Sequence, residues 1–188
     1  MTETAPSSAA TRQVDEVIIR PATLADMARK VEISTWYNTH TLGDASESPT
    51  TSDRTTMNFL AAKQKGYPYL VAEIGGHVVG YTYLRDYRDQ PHTAELSVYV
   101  DHDHLYRGIG SRLLQKLFHL LERPEKYDAS WIGEAKRAEN LRITAIISRA
   151  TVNPEGRESG EGLPRFYQRM GFEQIARLEK ASKRRGQM

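Results

Sequence analysis

"AELSVYVDHDHLYRGIGSRLLQKLFHLLE", Ala94 to Glu122, decides how the rest of the chain is read. Its opening alternates Glu95, Ser97 and Tyr99 with Leu96, Val98 and Val100, the period-two pattern of a half-buried strand. Its end sets Ile109, Leu113, Leu114, Leu117, Leu120 and Leu121 at helical spacing with one buried face. Between them lies "YRGIGSR", Tyr106 to Arg112. Two glycines at a strand-to-helix junction serve either a tight turn or a ligand. The first N–H groups of a helix lack intrahelical partners and, with the helix dipole, form an anion site. Glycine lets phosphates approach the main chain closely, and Arg107 and Arg112 would add charge-assisted contacts. A Gly-x-Gly pair alone does not choose between the two readings.

Upstream, "VIIR" (Val17 to Arg20) is a short strand ending at Pro21. "ATLADMARKVEIS" opens a helix with Thr23 as N-cap and Asp26 where a carboxylate favours the N-terminus. After the polar stretch "NTHTLGDASESPTTSD", a second helix spans about Arg54 to Lys65 and stops at Gly66. "YPYLVAEIGGHVVGYTYLRDY" is a hairpin turning at Gly75-Gly76. Downstream, "RPEKYDASWIGEAKRAENLR" mixes a proline break, two large aromatics and a charged helical end. The strand "ITAIISRA", the loop "NPEGRESGEG", the helix "LPRFYQRM" and a last strand "FEQIARL" complete the order. The sequence predicts an α/β (α+β) domain: a mixed sheet with helices packed on it.

The 188 residues suit one domain, with 27% charged and 39% hydrophobic residues as in ordinary globular chains. A formal charge of +2 points to neither nucleic acid nor membrane. The absence of cysteine excludes disulfides, cysteine-ligated zinc and thiol catalysis. No apolar run approaches the ~20 residues of a membrane helix, and "MTETAPSSAATRQVDE" has no apolar h-region. The expected organisation is a disordered leader over 1–16, a single domain over 17–179 with an insertion near 123–142, and a basic tail over 180–188. The expected setting is soluble and cytoplasmic, without nucleic-acid or membrane partners.

The order of elements and the glycine junction resemble the GNAT acetyltransferase superfamily, whose Q/R-x-x-G-x-G/A loop cradles the pyrophosphate of acetyl-CoA. "LYRGIGSRLL" supplies both glycines, with Leu105 in place of the usual Gln or Arg and Arg107 nearby. "IRPATLADM", "YPYLVAE", "AELSVYV" and "RFYQRMGF" sharpen the resemblance to the phosphinothricin acetyltransferase branch, from about Val17 to Leu178. It implies a GNAT fold whose central sheet splays at the cofactor strand, with a bulge there. It also implies acetyl-CoA as cosubstrate, no metal and a homodimer. Main-chain groups of Val98, Tyr99 and Val100 would take the pantetheine arm. Tyr106, Arg107, Gly108, Ile109, Gly110 and Ser111 would hold the pyrophosphate, and Asn153 would contact the cofactor.

Acetyl transfer needs a neutral amine, whereas an alkylamine has a pKa near ~10 and is mostly protonated at neutral pH. A base must take that proton, and Glu95 matches the branch's catalytic glutamate; an exposed carboxylate in a cross-strand pair is the other reading. The Val98 N–H is the candidate donor to the tetrahedral oxyanion. Tyr167 matches the family's general-acid tyrosine, against a reading as a packing aromatic. Tyr37, Tyr83 and Arg85 are candidate binders of the acceptor, Arg85 for a carboxylate. Ala45 stands where that branch usually has phenylalanine, so the acceptor is left as a small, amino-acid-like amine. "DHDH" (Asp101 to His104) invites a metal reading, but nothing else in the sequence converges on one. Trp131 reads as a packing residue of the insertion or as a dimer or lid contact. Acetylation of a protein lysine or N-terminus, and a non-catalytic acetyl-CoA-binding module, remain open alternatives.

Overall fold

The structure is a computed structural model and describes residues 16–41, 51–88, 90–132, 145–148 and 157–177. The expected leader, the basic tail and Asn153 lie outside the described residues. In chain order the elements are β1 (Ile18–Pro21), α1 (Met27–His40), α2 (Ser52–Gln64), β2 (Tyr69–Ile74), β3 (His77–Tyr87), β4 (Gln90–Val100), α3 (Ile109–Glu122), β5 (Ala145–Ser148) and α4 (Gly162–Arg169). One five-stranded sheet runs β1-β2-β3-β4-β5. Its first three pairings are antiparallel and β4–β5 is parallel.

Alternation along the strands assigns each face of the sheet to its own helices. Leu70, Ala72, Val79, Leu84, Ala94 and Leu96 meet Leu113, Leu114, Leu117 and Leu120 of α3, with Tyr167 of α4 in the same core. On the other face Tyr69, Val71 and Tyr81 meet Met27 and Ile33 of α1 and Phe59 and Ala62 of α2. Among the described residues no helix is long and apolar enough to cross a membrane.

The helix start foreseen at Thr23 is built as a reciprocal cap. The Thr23 N–H donates to Asp26 Oδ2 at 2.7 Å, and the Asp26 N–H returns to Thr23 O at 3.2 Å. Arg20 adds two bonds of 2.8 Å to the same carboxylate and a third of 2.8 Å to Glu73, tying β1 to both α1 and β2.

Two expectations are corrected. The bulge implied near Val98 is absent: the β3–β4 register runs unbroken from Gly80↔Val100 to Asp86↔Ala94, and shifts only at Asp86/Tyr87. On the opposite edge the described β4–β5 ladder runs from Thr93↔Ala145 to Leu96↔Ser148, and the residues after Ser148 lie outside the described residues. Second, Phe172–Arg177 forms no strand. Ile175 in it is 84% exposed, so its alternation has no sheet face to bury against.

The described part of the insertion, residues 123–132, packs onto the domain. Lys116 of α3 sits 4.5 Å from the Tyr127 ring centroid and 4.4 Å from that of Trp131, and donates to the Tyr127 hydroxyl at 3.1 Å. Lys63 of α2 donates to Ser130 O at 2.5 Å. Trp131 is therefore a half-buried wall of a cation cage, which favours the packing reading of that residue.

Candidate active site

The junction that opened the sequence reading is a loop–helix turn with two unusual backbone conformations. Gly108 is the N-cap of α3 at φ 76° and Tyr106 stands at φ 63°. A side chain on Gly108 would be strained in that left-handed conformation. Gly110 has a different reason: an added Cβ would lie 3.4 Å from the Phe166 ring of α4 and 3.7 Å from Val100. The glycines thus bring α4 and the end of β4 against the first turn of α3, whose N–H groups have no intrahelical acceptors. Arg107 and Arg112 are exposed beside it. The Tyr106 ring is 75% exposed and carries the Arg157 guanidinium 4.6 Å from its centroid. Arg157 was not singled out from sequence, because only the fold brings its loop back to this turn.

Hydrogen bonds give the orientation of β4's main chain. Ser97 O accepts from Thr82 Oγ1 at 2.9 Å, and the Asp101 N–H donates to Val79 O at 2.8 Å, both towards β3. Leu96 O accepts from Ser148 Oγ of β5 at 3.5 Å, and Val100 O from the Tyr37 hydroxyl at 2.6 Å, both away from β3. Successive residues of a strand direct their N–H and C=O to opposite edges. The Val98 N–H and C=O therefore face the β5 edge, just beyond the described end of that ladder. Tyr99, on the other parity, turns its main chain to β3. Its ring packs in the cluster beneath α1, and of the three expected pantetheine contacts its main chain is the one turned away from the β5 edge.

Glu95, Tyr99, Tyr83 and Arg85 share the face of the sheet covered by α1 and α2. Glu95 is 9% exposed and opposite Arg85 in the register. Arg85 Nε donates to Oε2 at 3.2 Å and Nη2 to Oε1 at 2.9 Å. The cross-strand pair is thus real, and it orients the carboxylate along a fixed guanidinium fork. Burial lowers the Arg85 pKa, but the hydrogen bonds it donates to Glu95, together with the charges of Glu95, Tyr83 and Tyr99, more than offset this and the net shift is upward. Arg85 is thereby committed to Glu95 rather than presented as an isolated carboxylate receptor.

Tyr37 joins this face from α1, edge-on to Tyr99 at 5.2 Å. Burial pushes its hydroxyl up to about 12, so it stays protonated and donates to Val100 O. Tyr83 stacks on Tyr69 at 4.7 Å. Lys30, another α1 residue of this face, was missed from sequence: it is 9% exposed, with its ammonium 5.6 Å from the Tyr81 centroid and 5.9 Å from that of Tyr83. The signal was available, since Lys30 and Ser34 fall on the same helical stripe as Met27, Ile33 and Tyr37.

Tyr167 lies on the other side of the sheet, within the α3 core. Burial raises its pKa, partly offset by a hydrogen bond with Ser148. Ser148 is also the residue that reaches Leu96 O. The expected base and acid are consequently brought to opposite faces of one strand, with the β4–β5 seam between them.

Asp101, His102 and Asp103 each bring one ligand atom within 4.8 Å of the others. Asp101 is already committed: it pairs with Arg29 and caps the turn through the Asp103 N–H at 3.0 Å. A guanidinium beside that carboxylate opposes a second cation.

These features define an α/β fold with a glycine turn opening α3 beside the end of β4. The model of the Acetyltransferase (GNAT) family matches residues 31–143, and the chain belongs to that family. It is 37% identical over 110 residues to the phosphinothricin N-acetyltransferase of Streptomyces viridochromogenes, covering 56% of this chain and 59% of that one. It is 37% identical over 102 residues to the L-amino acid N-acyltransferase MnaT of Escherichia coli, covering 53% and 59%. The chain thus spans about three fifths of the length of these curated relatives. Among solved structures it is similar to a GNAT superfamily phosphinothricin acetyltransferase from Sinorhizobium meliloti in complex with acetyl-CoA. That similarity has a TM-score of 0.52 and 28% identity over 57% of this chain and 58% of that one.

Proposed function

We propose that this chain transfers the acetyl group of acetyl-CoA to the primary amine of a small, amino-acid-like molecule. The observation that carries the reading is the build of β4. Over four residues it presents a buried carboxylate on one face, at Glu95, and a main-chain donor directed to its β5 edge, at Val98. The anion-binding start of α3 follows a short turn later.

In this reading acetyl-CoA places its pyrophosphate on the Tyr106–Ser111 turn, with Arg107 and Arg157 alongside, and its pantetheine along the β5 edge of β4. Val98 and Val100 lie on that edge, although Val100 O already holds the Tyr37 hydroxyl. Asn153 remains a proposed contact outside the described residues. CoA supplies the reactive thioester, and the protein supplies orientation and electrostatics.

The amine enters from the α1–α2 face. Its proton leaves to Glu95, directly or through water. The neutral form of the amine attacks, and the N–H of the resulting cationic nitrogen is far more acidic than that of a free alkylammonium with pKa near ~10, so this one proton passes to Glu95. The C–N bond forms as the carbonyl π bond opens, and the Val98 N–H donates to the resulting oxyanion. Collapse re-forms the carbonyl and expels the CoA thiolate. A thiolate of pKa near ~8.5 leaves without obligatory protonation, so Tyr167, buried across the seam, acts as an auxiliary acid.

The test follows free CoA thiol with acetyl-CoA and a panel of free amino acids, methionine sulfoximine, phosphinothricin, polyamines, aryl amines and lysine peptides. Selective turnover of small amines, reduced roughly 10²- to 10⁴-fold by Glu95→Gln, is the expected outcome. Preferential turnover of lysine peptides, or acetyl-CoA binding without turnover, would overturn it in favour of a protein acetyltransferase or a binding module.

A further inference from the structure

Three consecutive residues at the end of β4 are each held by a different side chain of α1. The Tyr37 hydroxyl donates to Val100 O at 2.6 Å. Arg29 pairs with the Asp101 carboxylate and donates from Nε to Val78 O at 3.2 Å. The Trp36 indole stacks on the His102 imidazole, with ring centroids 4.5 Å apart and planes 3° from parallel, and carries His40 on its other face at 4.8 Å. Arg29 and Tyr37 lie about two helical turns apart, so α1 runs along this segment rather than touching it at a point.

The β3–β4 ladder ends at Gly80↔Val100, and just past it the Asp101 N–H donates to Val79 O at 2.8 Å. Val100 O points away from β3, to the same edge as the main chain of Val98 two residues earlier. Burial pushes the Tyr37 hydroxyl up to about 12, so it keeps its proton at neutral pH. A phenol has one O–H to donate, and Val100 O takes it. Tyr37 is thereby committed to the main chain of β4, not presented as a donor to the acceptor amine, the role its place in the sequence suggested.

We propose that Tyr37 is a positioning residue for the cosubstrate: by fixing Val100 O it holds the β5 edge of β4 in the conformation that receives the pantetheine arm. This rests on the reading of that edge as the acetyl-CoA site. Tyr37 touches no reacting atom in this scheme and acts through Val100, while Arg29 and Trp36 fix the two residues that follow. A carbonyl has a second lone pair, so Val100 O can accept from an amide of the arm while it holds the hydroxyl. Without the Tyr37 bond the strand end has to be ordered when the arm binds, and that cost weakens affinity.

The test is calorimetric titration of the full chain and of Tyr37→Phe, which removes the hydroxyl and keeps the ring. Two ligands are compared: acetyl-CoA, and phosphoadenosine diphosphate, the CoA nucleotide without its pantetheine arm. Tyr37→Phe is expected to raise the Kd of acetyl-CoA roughly fivefold, the size of one lost hydrogen bond, and to leave the Kd of the armless nucleotide unchanged. At saturating acetyl-CoA, the KM of the amine that the protein turns over fastest is expected to stay as it is. Weakening confined to acetyl-CoA sustains the assignment. Equal weakening of both ligands marks a general loss of structure and overturns it. An unchanged Kd for acetyl-CoA also overturns it, and a raised KM for the amine in that case returns Tyr37 to the acceptor. Failure of the acetyltransferase reading has its own signatures. Acetyl-CoA bound by the unmodified protein but never turned over refutes catalysis alone, and the two titrations still decide the role of Tyr37. Acetyl-CoA not bound by the unmodified protein overturns both.

Discussion

A single carboxylate can anchor the start of a fold. Asp26 is 7% exposed, and burial alone would raise its pKa. Hydrogen bonds from Arg20 and Thr23 more than offset this and hold it below its ordinary value of 3.8. Because the folded value is depressed, the stabilisation is fully present above the ordinary carboxylate range and is lost as pH falls through the folded value. Asp26→Asn is therefore expected to lower the melting temperature at neutral pH and to narrow its gap from the unmodified protein as pH drops from about 5 to about 2. A gap independent of pH would contradict the role given to this charge. Glu95 and Lys30 illustrate the limits of sequence at this scale. The position of Glu95 was legible from its strand, but its pairing with Arg85 was not, because register across a hairpin depends on where the ladder shifts. Lys30 went unread because a lysine in a helix is ordinarily solvated, and only packing reveals that its stripe faces the tyrosines.

Elements were more legible than residues. The period-two run of β4 and the leucine stripe of α3 both carry strong periodicity, and the structure places them as Gln90–Val100 and Ile109–Glu122. The hairpin at Gly75-Gly76 appears with both glycines at positive φ, 56° and 82°. "FEQIARL" failed for a physical reason: alternation alone does not make a strand when no partner edge buries it. At the α3 turn, Gly108→Ala is expected to cost ~1–2 kcal/mol from left-handed strain. For a chain of this size that is a melting shift of about 2–4 °C per kcal/mol. The substituted turn is also expected to bind acetyl-CoA more weakly, read by calorimetry, since the same backbone aims the first N–H groups of α3. Unchanged affinity would separate the turn from the cofactor.

At the scale of the molecule, the sheet divides two tasks. Its α3 face holds a conventional aliphatic core, while its α1–α2 face is lined by tyrosines with Lys30, Arg85 and Glu95 among them. β4, whose side chains serve both faces, ends beside the glycine turn that opens α3. If acetyl-CoA occupies that junction, ligand at 100 times its Kd stabilises the folded chain by about 2.7 kcal/mol, seen as a concentration-dependent rise in melting temperature. The family could be read from the glycine junction and its flanking segments. The acceptor could not, because the side chains proposed to bind it are brought together from α1, β3 and β4 only by the fold.

The most direct measurement follows the acetyl carbon itself. The protein, acetyl-CoA labelled with ¹³C in the acetyl group and an acceptor amino acid are incubated, and the acceptor is analysed by mass spectrometry beside Glu95→Gln. Label on the acceptor nitrogen, formed by the unmodified protein and strongly reduced in the variant, is the expected result. Label appearing only as free acetate, or remaining on CoA while the protein binds it, would contradict N-acetyl transfer at this site.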